Sequence, residues 1–228
     1  MNLPIMLEYR KPNMVWVEPF VGGGNMIDKV DGPRIGADFN PYVIEALKFI
    51  RDTPKQIPEI ISEDDYDIAK THKRIDGLTS FTAFAMSFGG KFFGGYRRDK
   101  AGTKGCVENM KTQTRRSKQN ALKQSPKLQG VQLVHSSYSD LEIPKNSLIY
   151  CDPPYAKTTA YKTGDFDHPK FWQWCREKAS KGHAVFVSEY NAPDDFLCVW
   201  EKSVNSSLTK DTGSKKATEK LFLATLTA

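Results

Sequence analysis

Cysteine and histidine are few in this chain, and none falls at a spacing that metal or nucleophile chemistry requires. Cys106, Cys151, Cys175 and Cys198 are scattered, without a CxxC or a His-paired interval, which excludes a disulfide framework and a zinc motif and reads as reduced thiols. His72, His135, His168 and His183 share no metal-binding period, and neither a Ser/His/Asp or Cys/His arrangement nor a base-deaminase signature emerges. Any catalysis is therefore expected to be metal-free. No apolar run is long enough to span a bilayer, and Met1-Asn2-Leu3-Pro4 does not open a signal peptide. The expectation is a soluble, cytoplasmic protein with no membrane partner. Internal repeats and low-complexity tracts are missing too, so the 228 residues read as one core carrying a large insertion.

What is present begins with Cys151-Asp152-Pro153-Pro154-Tyr155, which follows the apolar run Ser147-Leu148-Ile149-Tyr150. The run is short and β-rich, and paired prolines force the chain out of a sheet because they cannot donate to a ladder. A carboxylate, a rigid backbone carbonyl and an aromatic ring then sit at the carboxyl edge of a sheet, where open α/β folds bind ligands. This set suits chemistry at an exocyclic amine on a planar base. Asp152 and the Pro153 carbonyl can accept both amine hydrogens, and Tyr155 can stack on the ring. The plain alternative is a strand followed by a turn with a surface Asp.

Upstream, Met14-Val15-Trp16-Val17 reads as a buried strand running into Glu18-Pro19-Phe20-Val21-Gly22-Gly23-Gly24-Asn25. Glycines after a strand let backbone approach a ligand, and a helix beyond them would present unpaired N–H groups. The third glycine of a dinucleotide fingerprint is missing. Arg34-Ile35-Gly36-Ala37 is a second strand ending at Asp38, and Asn40 and Pro41 open a helix with apolar residues at Val43, Ile44, Leu47 and Ile50. An acid at that strand tip can accept hydrogen bonds from a ribose diol, or simply cap the turn with Asn40.

The formal charge is +6 and the pI about 9.0, and the excess is local. From Phe84 onward paired glycines, aromatics and cations mix. Lys91, Arg97, Arg98, Lys100, Lys104, Lys111, Arg115, Arg116, Lys118, Lys123 and Lys127 are opposed only by Asp99 and Glu108. The spacing predicts a cationic helix from Arg115 through Leu128, preceded by a loop or hairpin. Cations interleaved with Tyr96 and other rings match a surface that neutralises phosphates while contacting bases; a solvated charged face is the alternative.

Val131 to His135 returns to the sheet. Tyr138, in the polar turn after it, can pack on a cofactor ring or belong to the rim. Asp167 and Pro169 start a helix closed by Gly182, Ala184 to Val187 is another strand ending at Ser188-Glu189-Tyr190-Asn191, and Phe196–Trp200 with Lys220–Leu226 form an antiparallel edge. Between these two, Leu208 to Thr218 reads as a polar loop.

With these pieces in this order, the chain resembles the Dam family of S-adenosylmethionine-dependent DNA adenine N6-methyltransferases, phage-encoded members most of all. Glu18 through Gly24 looks like the family's methionine-binding turn, Asp38 its ribose acid, Tyr138 its adenine contact, and Asp152-Pro153-Pro154-Tyr155 its catalytic edge. The resemblance implies an α/β, Rossmann-like class I sheet, mostly parallel with an antiparallel edge. Residues 1–58 and 130–228 would form the catalytic domain, and residues 59–129 a helical and hairpin insertion that recognises DNA. It implies S-adenosylmethionine bound by Glu18, Pro19, Phe20, Gly22, Gly24, Asp38, Tyr138 and Asp152, and a flipped adenine between Tyr155 and Tyr161, with Asp152, Pro153, Pro154 and Tyr155 at the reacting amine. Double-stranded DNA would meet Lys91, Tyr96, Arg97, Arg98, Lys100, Lys104, Arg115, Arg116 and Lys118. A metal-free monomer is expected. Family members usually carry a Gly- and Lys-bearing segment before the first strand that is not found here, so weakened cofactor binding or a catalytically silent DNA-binding relative stays open. So does N4-cytosine methylation, which the same acceptors serve.

Overall fold

Strands and helices alternate through most of the chain. The computed structural model describes residues 2–99, 103–154, 166–206 and 215–225. The strands are β1 (Val15–Glu18), β2 (Arg34–Asp38), β3 (Val131–His135), β4 (Ser147–Cys151), β5 (Ala184–Glu189), β6 (Phe196–Ser206) and β7 (Lys215–Ala224). The helices are α1 (Leu3–Glu8), α2 (Pro41–Asp52), α3 (Glu63–His72), α4 (Gly77–Ala85), α5 (Val107–Gln124) and α6 (His168–Ser180). Two units form: Met1–Val21, Val30–Ala37 and Ser137–Ala228 in the first, Gly22–Lys29 and Asp38–Ser136 in the second.

In the first unit, strands hydrogen-bond in the order β2-β1-β4-β5-β7-β6. β1 is parallel to β2 and β4, and β4 to β5, whereas β7 runs antiparallel to β5 and β6. The register aligns Val17 with Ile35 and Ile149, and Ile149 with Val185, all buried. Every residue of β4 is buried, and β5 is buried from Val185 onward. Parallel strands covered on both faces read as unbroken apolar runs. α6 packs on β5 and β7 and buries Phe171, Trp172, Trp174, Cys175 and Ala179. It starts where Asp167 accepts the Lys170 N–H at 2.9 Å, with Pro169 in its first turn. Arg176 forks onto both oxygens of Asp195 at 2.6 and 2.8 Å, tying the helix to the entry of β6.

Two local expectations are corrected. β6 and β7 pair as far as Ser206 and Lys215, so Lys215 to Thr218 is strand rather than loop; an antiparallel ribbon need not be apolar, which hid it from the pattern. Residues 208–214 of that expected loop lie outside the described residues. Beyond the Gly-rich turn, the second unit has only a single 3₁₀ turn, Ile27–Lys29, in place of a helix. Left-handed Gly22 (φ +47°) and Gly24 (φ +69°) precede it, and left-handed Gly32 (φ +79°) follows.

The second unit is largely helical. Asn40 caps α2 by accepting the Tyr42 N–H at 3.0 Å, and Ser62 and Asp65 form a reciprocal capping box at α3. Ile57, Ile61, Tyr66, Phe81, Met86, Phe93, Tyr96 and Met110 share its core. Gly77 opens α4 against α2: a Cβ there would lie 2.7 Å from Phe49 Cβ. Gly77→Ala is therefore expected to force the two helices apart at a cost of about 1–3 kcal/mol. A thermal melt should move down by several degrees, and an unchanged melting temperature would show that α2 yields freely.

Candidate active site

Three parallel strands of the first unit end in acids or just before one. Glu18 closes β1, Asp152 follows β4, and Glu189 closes β5. Glu18 is buried, and its Oε1 accepts the Trp16 indole N–H at 2.7 Å. Glu189 is also buried, and Oε1 accepts the Tyr190 N–H at 2.8 Å. Asp152 is exposed, one residue past the paired Cys151 and Val187, while Pro153 beside it is buried. The sheet edge thus sets an exposed acid beside a buried proline.

Behind that edge, the Tyr150 hydroxyl lies 2.9 Å from Ser188 Oγ. Burial, with the charge of Asp152 adding to it, pushes the Tyr150 hydroxyl well up and keeps it protonated. Burial and a hydrogen bond with Cys175 likewise push the Cys151 thiol up, so it stays an inert core thiol. Phe20 and Tyr138 face each other at 5.5 Å between centroids, with Phe166 and Phe171 edge-on or tilted around both. Trp174 meets Tyr138 edge-on at 5.3 Å, and its indole N–H is buried with no partner among the described residues. Such a cluster offers flat apolar faces and one spare donor.

In the second unit, Asp38 organises the glycine turn. Its Oδ2 accepts the Gly22 N–H at 3.1 Å and its Oδ1 the Asn40 N–H at 2.9 Å. The Ser136 N–H in turn donates to the Asp38 carbonyl at 3.1 Å. Burial raises the Asp38 pKa, and the two backbone donors and nearby His135 oppose it. Each carboxylate oxygen keeps a second lone pair, enough for a diol. A Cβ on Gly22 would meet nothing within 4 Å, so space beside the turn is open. Gly24 is different, since a Cβ there would come within 3.2 Å of Leu47. The Gln124 amide, at the end of α5, donates to the Gly23 carbonyl at 2.9 Å.

The cationic segment is more committed than its composition implies. Tyr96, expected at a DNA surface, is a core residue whose hydroxyl donates to the Ile61 carbonyl at 2.7 Å. Tyr66 holds the same loop by accepting the Gly95 N–H at 3.0 Å. Arg98 forks onto Glu63, Arg116 reaches Asp99 at 3.1 Å, and Lys118 reaches Glu59 at 2.5 Å. Arg97 is half-buried and donates to Ser117 Oγ at 3.0 Å. Lys91, Lys104 and Arg115 are exposed. α5 also starts at Val107, well before Arg115, a start hidden from the pattern because most of its buried stripe (Asn109, Met110, Gln113, Thr114, Ser117 and Ala121) is polar. Lys100, Tyr155 and Tyr161 lie outside the described residues. Sequence reasoning gave no role to Trp16, Tyr150, Glu189 or Gln124. Only Glu189 left a signal, an acid closing an apolar strand.

A family model for D12 class N6 adenine-specific DNA methyltransferases matches residues 7–212. No curated protein matches the chain. Among solved structures, similarity is found to the rRNA methyltransferase aviRa from Streptomyces viridochromogenes, at 11% identity and TM-score 0.42 over 97% of this chain and 83% of that one. SMU.472, a candidate methyltransferase complexed with SAH, is similar at 11% identity and TM-score 0.35, over 98% of this chain and 51% of its own.

Asp38→Ala should leave the Gly22 and Asn40 amides without their acceptor, a loss of about 1–3 kcal/mol. Hydrogen exchange at those two amides is expected to accelerate about tenfold or more, while the β4 amides stay protected. Unchanged exchange at Gly22 would mean that the turn holds itself.

Proposed function

The chain belongs to the D12 class N6 adenine-specific DNA methyltransferase family, and from that premise we propose how its residues divide the work. Its reaction is methylation of adenine N6 in DNA. The observation that carries the assignment of the site is Asp152, an exposed carboxylate delivered by a fully buried parallel strand and held by two prolines.

S-adenosylmethionine is the proposed methyl donor, and the residues present fit it. Gly22 leaves open space at a turn beside a carboxylate with spare lone pairs, and the half-buried rings of Phe20 and Tyr138 offer flat faces that suit a purine. Glu18 to Gly24 would hold its methionine part, Asp38 its ribose and Tyr138 with Phe20 its adenine. When bound, it supplies an electrophilic methyl group on a sulfonium sulfur.

The target adenine is taken out of the duplex, at a cost of a few kcal/mol, before chemistry at N6. Asp152 and the Pro153 carbonyl accept the two N6 hydrogens. This draws the nitrogen toward tetrahedral geometry and turns its lone pair out of ring conjugation. The Asp152 charge then stabilises the positive charge that develops on N6, and one N6 proton leaves through that carboxylate or to water. Positioning and electrostatics carry the acceleration, without a covalent enzyme intermediate. Tyr155 is proposed to stack on the base, with Tyr161 across from it. Residues 59–129, all within the second unit, are the proposed DNA-recognition insertion.

Asp152→Ala should lower methylation at least about a hundredfold, the scale of losing one preorganised electrostatic group. Nucleoside mass spectrometry on unmethylated plasmid would read this as loss of N6-methyladenine with DNA affinity near wild type. Substantial turnover in the variant would refute the role. Lys91 and Arg115 have no carboxylate partner among the described residues. Replacing both by Ala should flatten the log–log salt dependence of DNA binding by about 1 to 2. An unchanged slope would move the phosphate contacts elsewhere.

A further inference from the structure

The second unit carries an open polar cleft of about 410 Å³, lined by Arg97, Asp99, Gln113, Arg116, Gln119 and Asn120. Four of these come from α5. Arg116, Gln119 and Asn120 fall at i, i+3 and i+4, so they share one edge of the helix, beside its buried stripe. Gln119 and Asn120 are exposed, and Gln113 is buried at the cleft wall.

Two donors here are left over. Arg97 Nε and Gln113 Nε2 are buried with no hydrogen-bond partner among the described residues. Buried polar groups in folded proteins are nearly always satisfied, and an orphan calls for an explanation such as an absent ligand. The Arg116–Asp99 pair that crosses the cleft is exposed on both sides, at 57% and 44% of the side chains. Such a pair contributes little to stability, so either partner is free to exchange it for another.

The chemistry of the lining selects the ligand. A phosphate presents acceptors only, so a phosphate site would hold cations and N–H groups. This cleft adds three carboxamides, each both donor and acceptor, and a carboxylate that repels phosphate. A mixed set of that kind matches the donor and acceptor pattern of base-pair edges in the major groove. There, Arg pairs with guanine O6 and N7, Asn or Gln with adenine N6 and N7, and an acid with cytosine N4. An α-helix with its side chains is about 10–12 Å across and fits a groove about 12 Å wide.

We propose that this edge of α5, with Arg116, Gln119 and Asn120 foremost and Arg97, Asp99 and Gln113 behind them, reads base edges flanking the methylated adenine and sets the target sequence. The proposal deepens the reading of the chain as a DNA adenine methyltransferase and rests on it. Specificity then resides in the carboxamide edge of one helix, distinct from the phosphate contacts of Lys91 and Arg115.

The test is methylation of a randomised duplex library by wild type and by the double variant Gln119→Ala/Asn120→Ala, with modified sites mapped by sequencing and total N6-methyladenine measured by mass spectrometry. Wild type should methylate a defined sequence; no N6-methyladenine from wild type would instead overturn the underlying activity. The double variant should still methylate adenine, with discrimination at one or two neighbouring base pairs reduced roughly 5- to 150-fold, the range of one bidentate contact. The same sites at the same preference would overturn the proposal. An equal loss on every duplex would also overturn it, since that marks a sequence-independent grip. If the double variant melts at a lower temperature, the single exposed change Asn120→Ser carries the same test.

Discussion

The constraint on which the first unit depends is that its central parallel strands are covered on both faces. A strand such as β4, with all five residues buried, offers polar chemistry no outlet along its length, so function is pushed to the carboxyl end. The acids at the ends of β1 and β5 and just beyond β4 follow from that. They differ in burial, however. Glu18 and Glu189 are buried and hydrogen-bonded, whereas Asp152 alone of the three is exposed. A buried carboxylate has to spend its lone pairs on the protein to offset desolvation. The exposed one lies at the solvent-facing end of the strand, beside the buried Pro153.

The second unit solves a different problem with its charge. Its cations exceed its acids between Lys91 and Lys127, yet Arg98, Arg116 and Lys118 each turn toward a carboxylate from another part of the chain. Glu63, the carboxylate of the Arg98 fork, also accepts the Gly105 N–H at 3.1 Å, so it holds that glycine as well as balancing charge. Arg98 and its hydrogen bond hold the Glu63 carboxyl below its usual range. The stability this adds is present above the unfolded-state pKa and is lost as pH falls through the depressed folded value. Cation count therefore overstates the surface available to a polyanion.

What the sequence made legible was local. The apolar runs of β4 and β5 and the Asn40-Pro41 and Asp167-Pro169 helix starts could be read because each signal lies within a few residues of what it specifies. The misses were nonlocal. Tyr96 sits among cations in sequence, but its hydroxyl finds Ile61, 35 residues away. The ion pairs of Arg98 and Lys118 reach back 35 and 59 residues. The start of α5 was hidden for a related reason, because its buried face uses Gln113, Thr114 and Ser117, which periodicity scores as polar. Thr114 is satisfied inside the core by accepting the Ile61 N–H at 2.9 Å and donating to Met110 at 2.9 Å.

That same helix shows why the glycine turn and α5 cannot be understood as separate motifs. Its 18 residues rise about 27 Å, from a start two residues beyond Gly105 to Gln124, whose amide donates to the Gly23 carbonyl. At Gly24 the backbone is left-handed and closely approached by Leu47 of α2 as well as by Gln124 and Leu128. A glycine is needed there on both counts: φ of +69° is unfavourable for a side chain, and a Cβ would press on its neighbours. The glycine turn is therefore held from outside, by Asp38 at Gly22 and by α5 at Gly23. Three consecutive glycines would otherwise be the least ordered stretch of backbone in the unit, and it is these two distant hydrogen bonds that make a flexible sequence into a defined cradle.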